Sequence, residues 1–173
     1  MSVKVHSALM DGIDIYRPLA KNPGVFVHDS DTCLRGVLTW RGKKYKYAFH
    51  RMAGYKGDFG STPDIKVAQA VVPSKVVFDD VYNAALDAHD WLYSVKGELT
   101  VPLAAWTRLE CNDFMRGVMR ESPYLKAKRG WIARFCAGCA DFFTKLFAGG
   151  KNHWGNDSYE SMNKAEMILT EVK

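Results

Sequence analysis

The chain lacks the features that mark secreted, membrane-spanning and repeat proteins. Its 173 residues include four cysteines, which are too few and too scattered for a disulfide scaffold. No stretch approaches the roughly 18 apolar residues of a spanning helix, and the N-terminus has no apolar run of the signal-peptide kind. We therefore expect one domain that is in the cytoplasm after synthesis and that, if it later leaves the cell, does so without a cleaved leader. The cysteines are Cys33, Cys111, Cys136 and Cys139.

The chain also has only a small excess of positive over negative charge. The chain has 24 Lys and Arg against 19 Asp and Glu, which gives a formal net charge of +5. This excess permits contact with nucleic acid or an anionic surface, but dedicated nucleic-acid binders usually have denser runs of Lys and Arg. The sequence therefore gives no strong nucleic-acid signal. Apolar residues are plentiful, at 47% of the chain, so a core can form without disulfides.

Strand-like patterns come first in the chain and helical patterns follow. The run at 45–50 alternates aromatic and polar residues and, with the run at 34–40, predicts a β-hairpin. Apolar residues recur at helical spacing in the later part of the chain. This order predicts an α+β fold, a small antiparallel β region followed by a bundle of three to four helices. We expect a single domain, 1–173, with a β-rich part at about 1–76 and a helical part at about 77–173. The expected helices are at about 77–95, 104–121, 125–147 and 158–171.

Two features of the helix expected at 125–147 have ordinary structural explanations. Cys136 and Cys139 have the spacing of a redox or zinc motif, but no second such pair completes a zinc site. Both lie on an apolar helical stripe, so we predict that they are buried, reduced and metal-free. The helix is also basic and amphipathic. Such a helix can lie on a membrane surface, but it more often packs on its own core.

The helix expected at 77–95 carries a titratable pair beside its apolar stripe. His89 lies one turn before Tyr93 and shares its inward face, while Asp90 points about a quarter turn away. Ionisable groups in an apolar setting need partners, and their pKa values shift at such positions. The simpler interpretation is a core histidine whose ring nitrogens are satisfied by a carboxylate and a carbonyl. A catalytic centre is the alternative.

A loop of the form D-F-G-S-T-P precedes this helix. Its Asp58 and Ser61 could bring a carboxylate and a hydroxyl to another element, or they could bond to their own backbone in a turn. The order D-x-x-S-x-P, then H-D-x-x-Y about two dozen residues later, resembles an uncharacterised family of small phage and prophage proteins. That family is known only as a domain of unknown function.

The resemblance spans about residues 34–150. Asp58, Ser61 and Pro63 match the family's loop, and Ala85 with the H-D-W-L-Y run that ends at Tyr93 matches its central helix. The chain departs from the family at Asn112, where the family usually has Asp. The resemblance implies a phage or prophage origin, with the host cytoplasm after synthesis or the virion as location. It implies no reaction.

The H-D-x-x-Y motif is also similar to the central motif of secreted phospholipases A2. That similarity implies that His89 is the base and Asp90 a ligand of a divalent cation such as Ca²⁺. Asn112 or Asp113 would orient His89. Calcium needs six to eight oxygen ligands, and the carboxylates of this chain supply only some of them. The metal therefore stays unknown, with a divalent cation as the candidate.

The sequence leaves two functions of different classes open. One is a small phage hydrolase of unknown substrate. The other is a non-catalytic virion component or host-factor-binding protein, whose partners are other phage proteins or a host protein. In the second case the same motifs lock the fold through buried hydrogen bonds. We expect Asp58, His89 and Asp90 to come together in space in both cases. The candidate catalytic residues are His89, Asp90 and Asp58, and the supporting ones are Tyr93, Ser61, Asn112 and Asp113.

Overall fold

Two antiparallel β-sheets and two helices form the part of the chain that a computed structural model describes, namely residues 2–20, 22–57, 79–123, 126 and 162–173. The strands are β1 (Val3–Asp11), β2 (Tyr16–Leu19), β3 (Asn22–His28), β4 (Thr32–Trp40), β5 (Lys43–Arg51), β6 (Lys56–Gly57) and β7 (Ala165–Glu171). The helices are α1 (Asp80–Ser94) and α2 (Arg108–Glu121), and a 3₁₀ turn at Met162–Lys164 leads into β7.

The larger sheet has the strand order β1-β4-β5-β7, and the smaller one has the order β2-β3-β6. The hairpin predicted from the runs at 34–40 and 45–50 is confirmed, because β4 and β5 pair along their whole length. Its two-residue turn has positive φ at Arg41 (51°) and Gly42 (80°). Positive φ at both central residues is the geometry that matches the twist of paired strands.

The C-terminal segment corrects the sequence-based prediction. The helix expected at 158–171 is wrong for its last part, because β7 pairs antiparallel with β5 over the full length of β7. The residues of this segment favour a helix by propensity, but they also alternate between buried and half-exposed positions, as the residues of a strand do. Ala165, Met167 and Leu169 are buried, while Glu166 and Ile168 between them are half-exposed. Pairing with β5 and burial of one face therefore outweigh local helix propensity.

The predicted bundle of three to four helices is wrong. Within the described residues, α1 and α2 are the only helices longer than one turn, and more residues lie in strands than in helices. The two helices lie within the regions expected at 77–95 and 104–121, and α2 ends where that region ends. Strand β7 lies in the half that was expected to be helical, and the helix expected at 125–147 lies outside the described residues except for the helical Lys126. Neither α1 nor α2 is long and apolar enough to cross a membrane.

Both helices begin at well-formed caps. Asp79 accepts a hydrogen bond from the backbone N–H of Tyr82 at 2.8 Å, which satisfies one free donor at the start of α1. Thr107 and Glu110 form a capping box at the start of α2. The buried Glu110 carboxylate also accepts a hydrogen bond from the Trp40 indole at 2.7 Å. This bond fixes the N-terminal end of α2 to the larger sheet.

The core lies between the two helices and one face of the larger sheet. That face presents every second residue of β4 and β5, and the helices contribute their inward stripes. The opposite face of the sheet carries exposed or half-buried side chains. Fully buried members of the core include Leu34, Leu38, Phe49, Ala84, Leu92, Phe114, Met115 and Met167.

The alternation along β7 can be tested by truncating neighbouring side chains. We expect Met167→Ala to lower the free energy of unfolding by about 2–5 kcal/mol, because the side chain is fully buried. Ile168→Ala should cost less than about 1 kcal/mol, since Ile168 points to the opposite face. Urea unfolding measures both. Equal losses at the two positions would contradict a strand of period two.

Candidate functional site

Helix α1 carries His89 against helix α2. The His89 Nδ1 atom lies 3.1 Å from Asp90 Oδ1, and its Nε2 atom lies 3.0 Å from Asn112 Oδ1. The first contact is local to α1, and the second joins the two helices. The structure therefore brings together three of the residues singled out in the sequence.

Tyr93 completes this group. Its hydroxyl donates a hydrogen bond to Asn112 Oδ1 at 2.8 Å, and its ring lies 4.2 Å from the His89 ring, centroid to centroid. Burial raises the pKa of Tyr93, and the neighbouring Arg108 guanidinium offsets part of that rise. The hydroxyl therefore stays protonated at neutral pH and remains a donor. We call His89, Asp90, Tyr93 and Asn112 the His89 group.

Both ring nitrogens of His89 are engaged by oxygens. Nδ1 faces a carboxylate oxygen and Nε2 faces an amide oxygen. A neutral imidazole donates from only one nitrogen, so it makes one of these hydrogen bonds at a time, and making both requires a protonated ring, which has no lone pair to accept another proton. To serve as a general base, His89 would first have to release Asn112 or Asp90.

Access to the His89 group is also limited. The side chain of His89 is 10% exposed and that of Asp90 is 15% exposed. Elsewhere in the described part of the chain, an open cleft of about 360 Å³ lies at the edge of the larger sheet. Its lining includes Cys33, His50 and Glu166, and it excludes the whole His89 group. A substrate that fits this cleft would not reach His89.

The other predicted site residues divide into two sets. Asp113 is described, but its carboxylate accepts a hydrogen bond from Arg116 at 2.5 Å on the outer side of α2. Asn112, and not Asp113, is therefore the residue of α2 that meets His89. Asp58 and Ser61 lie outside the described residues, so their approach to His89 stays a prediction. Cys136 and Cys139 also lie outside them.

A divalent cation finds no preformed site in the described ranges. No group of three or more His, Cys, Asp or Glu side chains there is arranged to hold a metal ion. Asp90 is turned toward His89, and its helix neighbour Asp87 makes different contacts. The divalent cation expected from the phospholipase-like motif stays a prediction.

A second cluster of ionisable residues lies on another side of α1, and the sequence reasoning missed it. Asp14, His28, Arg51 and Asp87 have fully buried side chains. We call these four residues the buried charge cluster. They come from the loop before β2, the end of β3, the end of β5 and the middle of α1. The cluster therefore connects both sheets to one helix.

Hydrogen bonds close the buried charge cluster into a ring. His28 Nδ1 lies 2.7 Å from Asp14 Oδ1, and His28 Nε2 lies 3.1 Å from Asp87 Oδ2. Arg51 Nη2 donates to Asp14 Oδ2 at 2.8 Å, Arg51 Nη1 donates to Asp87 Oδ2, and Arg51 Nε donates to Thr32 Oγ1 at 3.1 Å. With a protonated His28, two cations face two anions. The cluster is then neutral as a whole.

The electrostatics of the cluster favour this charged arrangement. Burial by itself lowers the pKa of His28, but hydrogen bonds to Asp14 and Asp87 outweigh burial, and the pKa lies above its ordinary 6.5. Burial by itself raises the pKa of Asp14, but the contacts with His28 and Arg51 hold that pKa below its ordinary 3.8. The carboxylates likewise raise the pKa of Arg51 against the effect of burial.

Strand β6 passes very close to α1 beside the buried charge cluster. A Cβ atom added to Gly57 would lie 2.2 Å from Asp87 Oδ1, so only glycine fits at this position. Among the described residues, Asp87 Oδ1 has no hydrogen-bond partner, although Asp87 Oδ2 has two. The Tyr55 hydroxyl donates to the backbone carbonyl of Asp87 at 3.0 Å. These contacts position Asp87, whose side chain is fully buried.

The sequence does contain a signal for the cluster. Arg51 continues the alternation of Tyr45, Tyr47 and Phe49, so it occupies a core position of β5. Asp87 lies on α1 three residues after the buried Ala84 and four before the buried Trp91. A charged residue at a position that the apolar pattern assigns to the core predicts a buried partner of opposite charge. Pairing Arg51 with Asp87 from these two positions would have located the cluster.

Comparison with known proteins finds no family model, no curated protein and no solved structure that matches the chain. The resemblance to the phage and prophage family therefore stays a prediction.

The raised pKa of His28 predicts a specific pH dependence of stability. A raised folded-state pKa gives a stabilisation that is fully present below the unfolded pKa of about 6.5 and is lost as pH rises through the folded pKa. We expect the stability difference between the parent and His28→Gln to be largest below about pH 6.5. It should shrink at higher pH in urea unfolding. The exposed His6→Gln serves as control, and a difference that grows with pH would contradict the assignment.

Removal of one partner from the cluster should be costly. We expect Arg51→Met to lower the free energy of unfolding by about 3–5 kcal/mol, because two buried carboxylates lose their cation. Arg17→Met is the matched control. Arg17 pairs with Asp29 at 3.1 Å, but its side chain is 63% exposed, so that change should cost less than about 1 kcal/mol. Similar losses for the two variants would argue against a cluster that is buried and charged.

Proposed function

We propose that the chain is a non-catalytic binding protein, of the phage or prophage kind that its motifs resemble. In this proposal the His89 group is structural and locks α1 to α2. The observation that carries the proposal is the contact of each His89 ring nitrogen with an oxygen acceptor. A catalytic histidine has one nitrogen oriented by a partner and the other free for the reacting proton.

Two further features support a structural role. His89 is 8% exposed and Asn112 is 3% exposed, so water and substrate have little access to the bond between them. Asn112 also stands where the resembling family usually has Asp. An amide in that position is neutral, so its contact with His89 adds no carboxylate to hold a metal ion. Such a bond suits a helix–helix contact better than a proton relay.

In this role, α1 serves as the central support of the molecule. One side of α1 meets α2 through the His89 group, and another side meets both sheets through the buried charge cluster. Rigid packing of this kind preorganises an outer surface for binding. The partners we expect are other virion proteins or a host protein, in the host cytoplasm or in the particle.

A phage hydrolase is the second candidate. The 3.1 Å contact between His89 Nδ1 and Asp90 Oδ1 favours it, because a carboxylate on one ring nitrogen can orient a catalytic imidazole. This candidate requires Asn112 to leave His89 Nε2 when substrate binds. It also keeps the expectation that Asp58 approaches the pair.

Substitution of His89 separates the two candidates. Under the structural proposal, we expect His89→Ala to lower the free energy of unfolding by about 1–3 kcal/mol, since Asn112 and Asp90 lose a buried partner. The parent should show no hydrolysis of phospholipid, peptidoglycan or simple esters above that of the variant. Urea unfolding and product assays on the same preparations measure both quantities.

His6→Ala, which replaces an exposed histidine, is the control for any general effect of removing a histidine. A parent that hydrolyses one of these substrates, together with a His89→Ala variant that folds normally and loses about 10²–10⁴-fold in rate, would establish the hydrolase instead.

A further inference from the structure

On the outer face of the larger sheet, lysines lie near one end and acidic residues lie near the other. This face carries the residues of β1, β4, β5 and β7 that alternate with the core residues. The register places Lys4 opposite Thr39, and Thr39 opposite Lys44, in one row across three strands. Lys46 follows Lys44 on the same side of β5. We call Lys4, Thr39, Lys44 and Lys46 the basic face.

The three lysines of the basic face are exposed. From ordinary sheet spacing, Lys44 and Lys46 are about 7 Å apart along β5, and Lys4 lies about 10 Å from Lys44 across β4. No ion pair among the described residues involves Lys4, Lys44 or Lys46. Their positive charges therefore add on one surface and are not cancelled by neighbouring carboxylates.

Acidic residues of the same face lie at its other end. The row furthest from the β4–β5 turn contains Asp11, Cys33, His50 and Glu166. Asp11 forms an ion pair with Arg35, the nearest cation along β4. At the turn end, Lys43 pairs with Glu171 at 3.0 Å, and the register places both residues on the opposite face, in phase with Tyr45. Within the described residues, the rows that contain Lys44 and Lys46 therefore hold no carboxylate.

We propose that the basic face binds the phosphate backbone of a nucleic acid. This inference rests on the proposed binding role and adds nucleic acid to the protein partners expected there. Three uncompensated lysines on a flat surface match a regular row of phosphates. The hydroxyl of Thr39, which lies 2.8 Å from His6 Nε2, adds a neutral hydrogen-bonding group between the lysines.

The chemistry of the face distinguishes nucleic acid from other anionic partners. A membrane-binding surface usually adds aromatic side chains that enter the lipid, and the rows of Lys44 and Lys46 contain none. The apolar side chains nearest to these lysines on the same face are the half-buried Val37, opposite Lys46, and Leu9 one row further. The same lack of aromatic residues removes base stacking as a source of affinity. Binding is therefore electrostatic and independent of base sequence, with a strong dependence on salt.

The test compares two triple variants with equal net charge. The first replaces Lys4, Lys44 and Lys46 with Gln, and the matched control replaces the exposed Lys96, Lys126 and Lys164 with Gln. The probe is fluorescein-labelled duplex DNA of about 20 base pairs, titrated between about 50 and 200 mM salt. We expect the basic-face variant to lose at least about tenfold in affinity. The slope of log K against log salt should fall by about 2–3 in magnitude, while the control changes little.

Several outcomes would overturn the inference. They are an absence of DNA binding by the parent at low salt, equal losses in the two triple variants, and binding only to phosphatidylserine vesicles or polyglutamate. Near-UV circular dichroism verifies the fold of each variant. His89-dependent hydrolysis with intact DNA binding would overturn the proposed function alone, so the two failures are distinguishable.

Discussion

The ion pair between Arg51 and Asp87 is the interaction on which the arrangement of the elements depends. Arg51 ends β5, Asp87 lies in the middle of α1, and His28 brings the smaller sheet to both. A buried guanidinium requires carboxylates in fixed directions, since its donors form a rigid planar fork. The cluster therefore sets where α1 crosses the larger sheet, and through α1 it sets where His89 meets α2.

This constraint explains why two ionisable motifs coexist on one helix. Asp87 and His89 are two residues apart, so they point to nearly opposite sides of α1. Asp87 faces the sheets, and His89 faces Asn112 on α2. Each side chain is satisfied by a different neighbour. A helix held on two sides in this way has little freedom to rotate, which suits a scaffold whose outer surface does the binding.

The local sequence pattern predicted individual strands and helices better than it predicted how they pair and pack with one another. The hairpin follows from alternation and a turn at Arg41 and Gly42, and α1 follows from apolar spacing around His89. Strand β7 could not be recognised locally, because a short segment of helix formers becomes a strand only when β5 is beside it. His89, Asp90, Tyr93 and Asn112 were predicted through motif order. The buried charge cluster and the basic face depend on residues distant in sequence, and only the sheet register brings them together.

The pairing of β5 with β7 has a consequence for synthesis. Strands β1, β4 and β5 precede both helices in the chain, whereas β7 follows both, so β5 is made well before its partner β7. Until then, β5 has an unpaired edge beside its apolar Tyr45, Tyr47 and Phe49 face, and such edges recruit other strands. A nascent chain in a crowded cell therefore depends on protection of the β5 edge until β7 is made. Chains that terminate early never acquire that strand and are natural targets for aggregation and degradation.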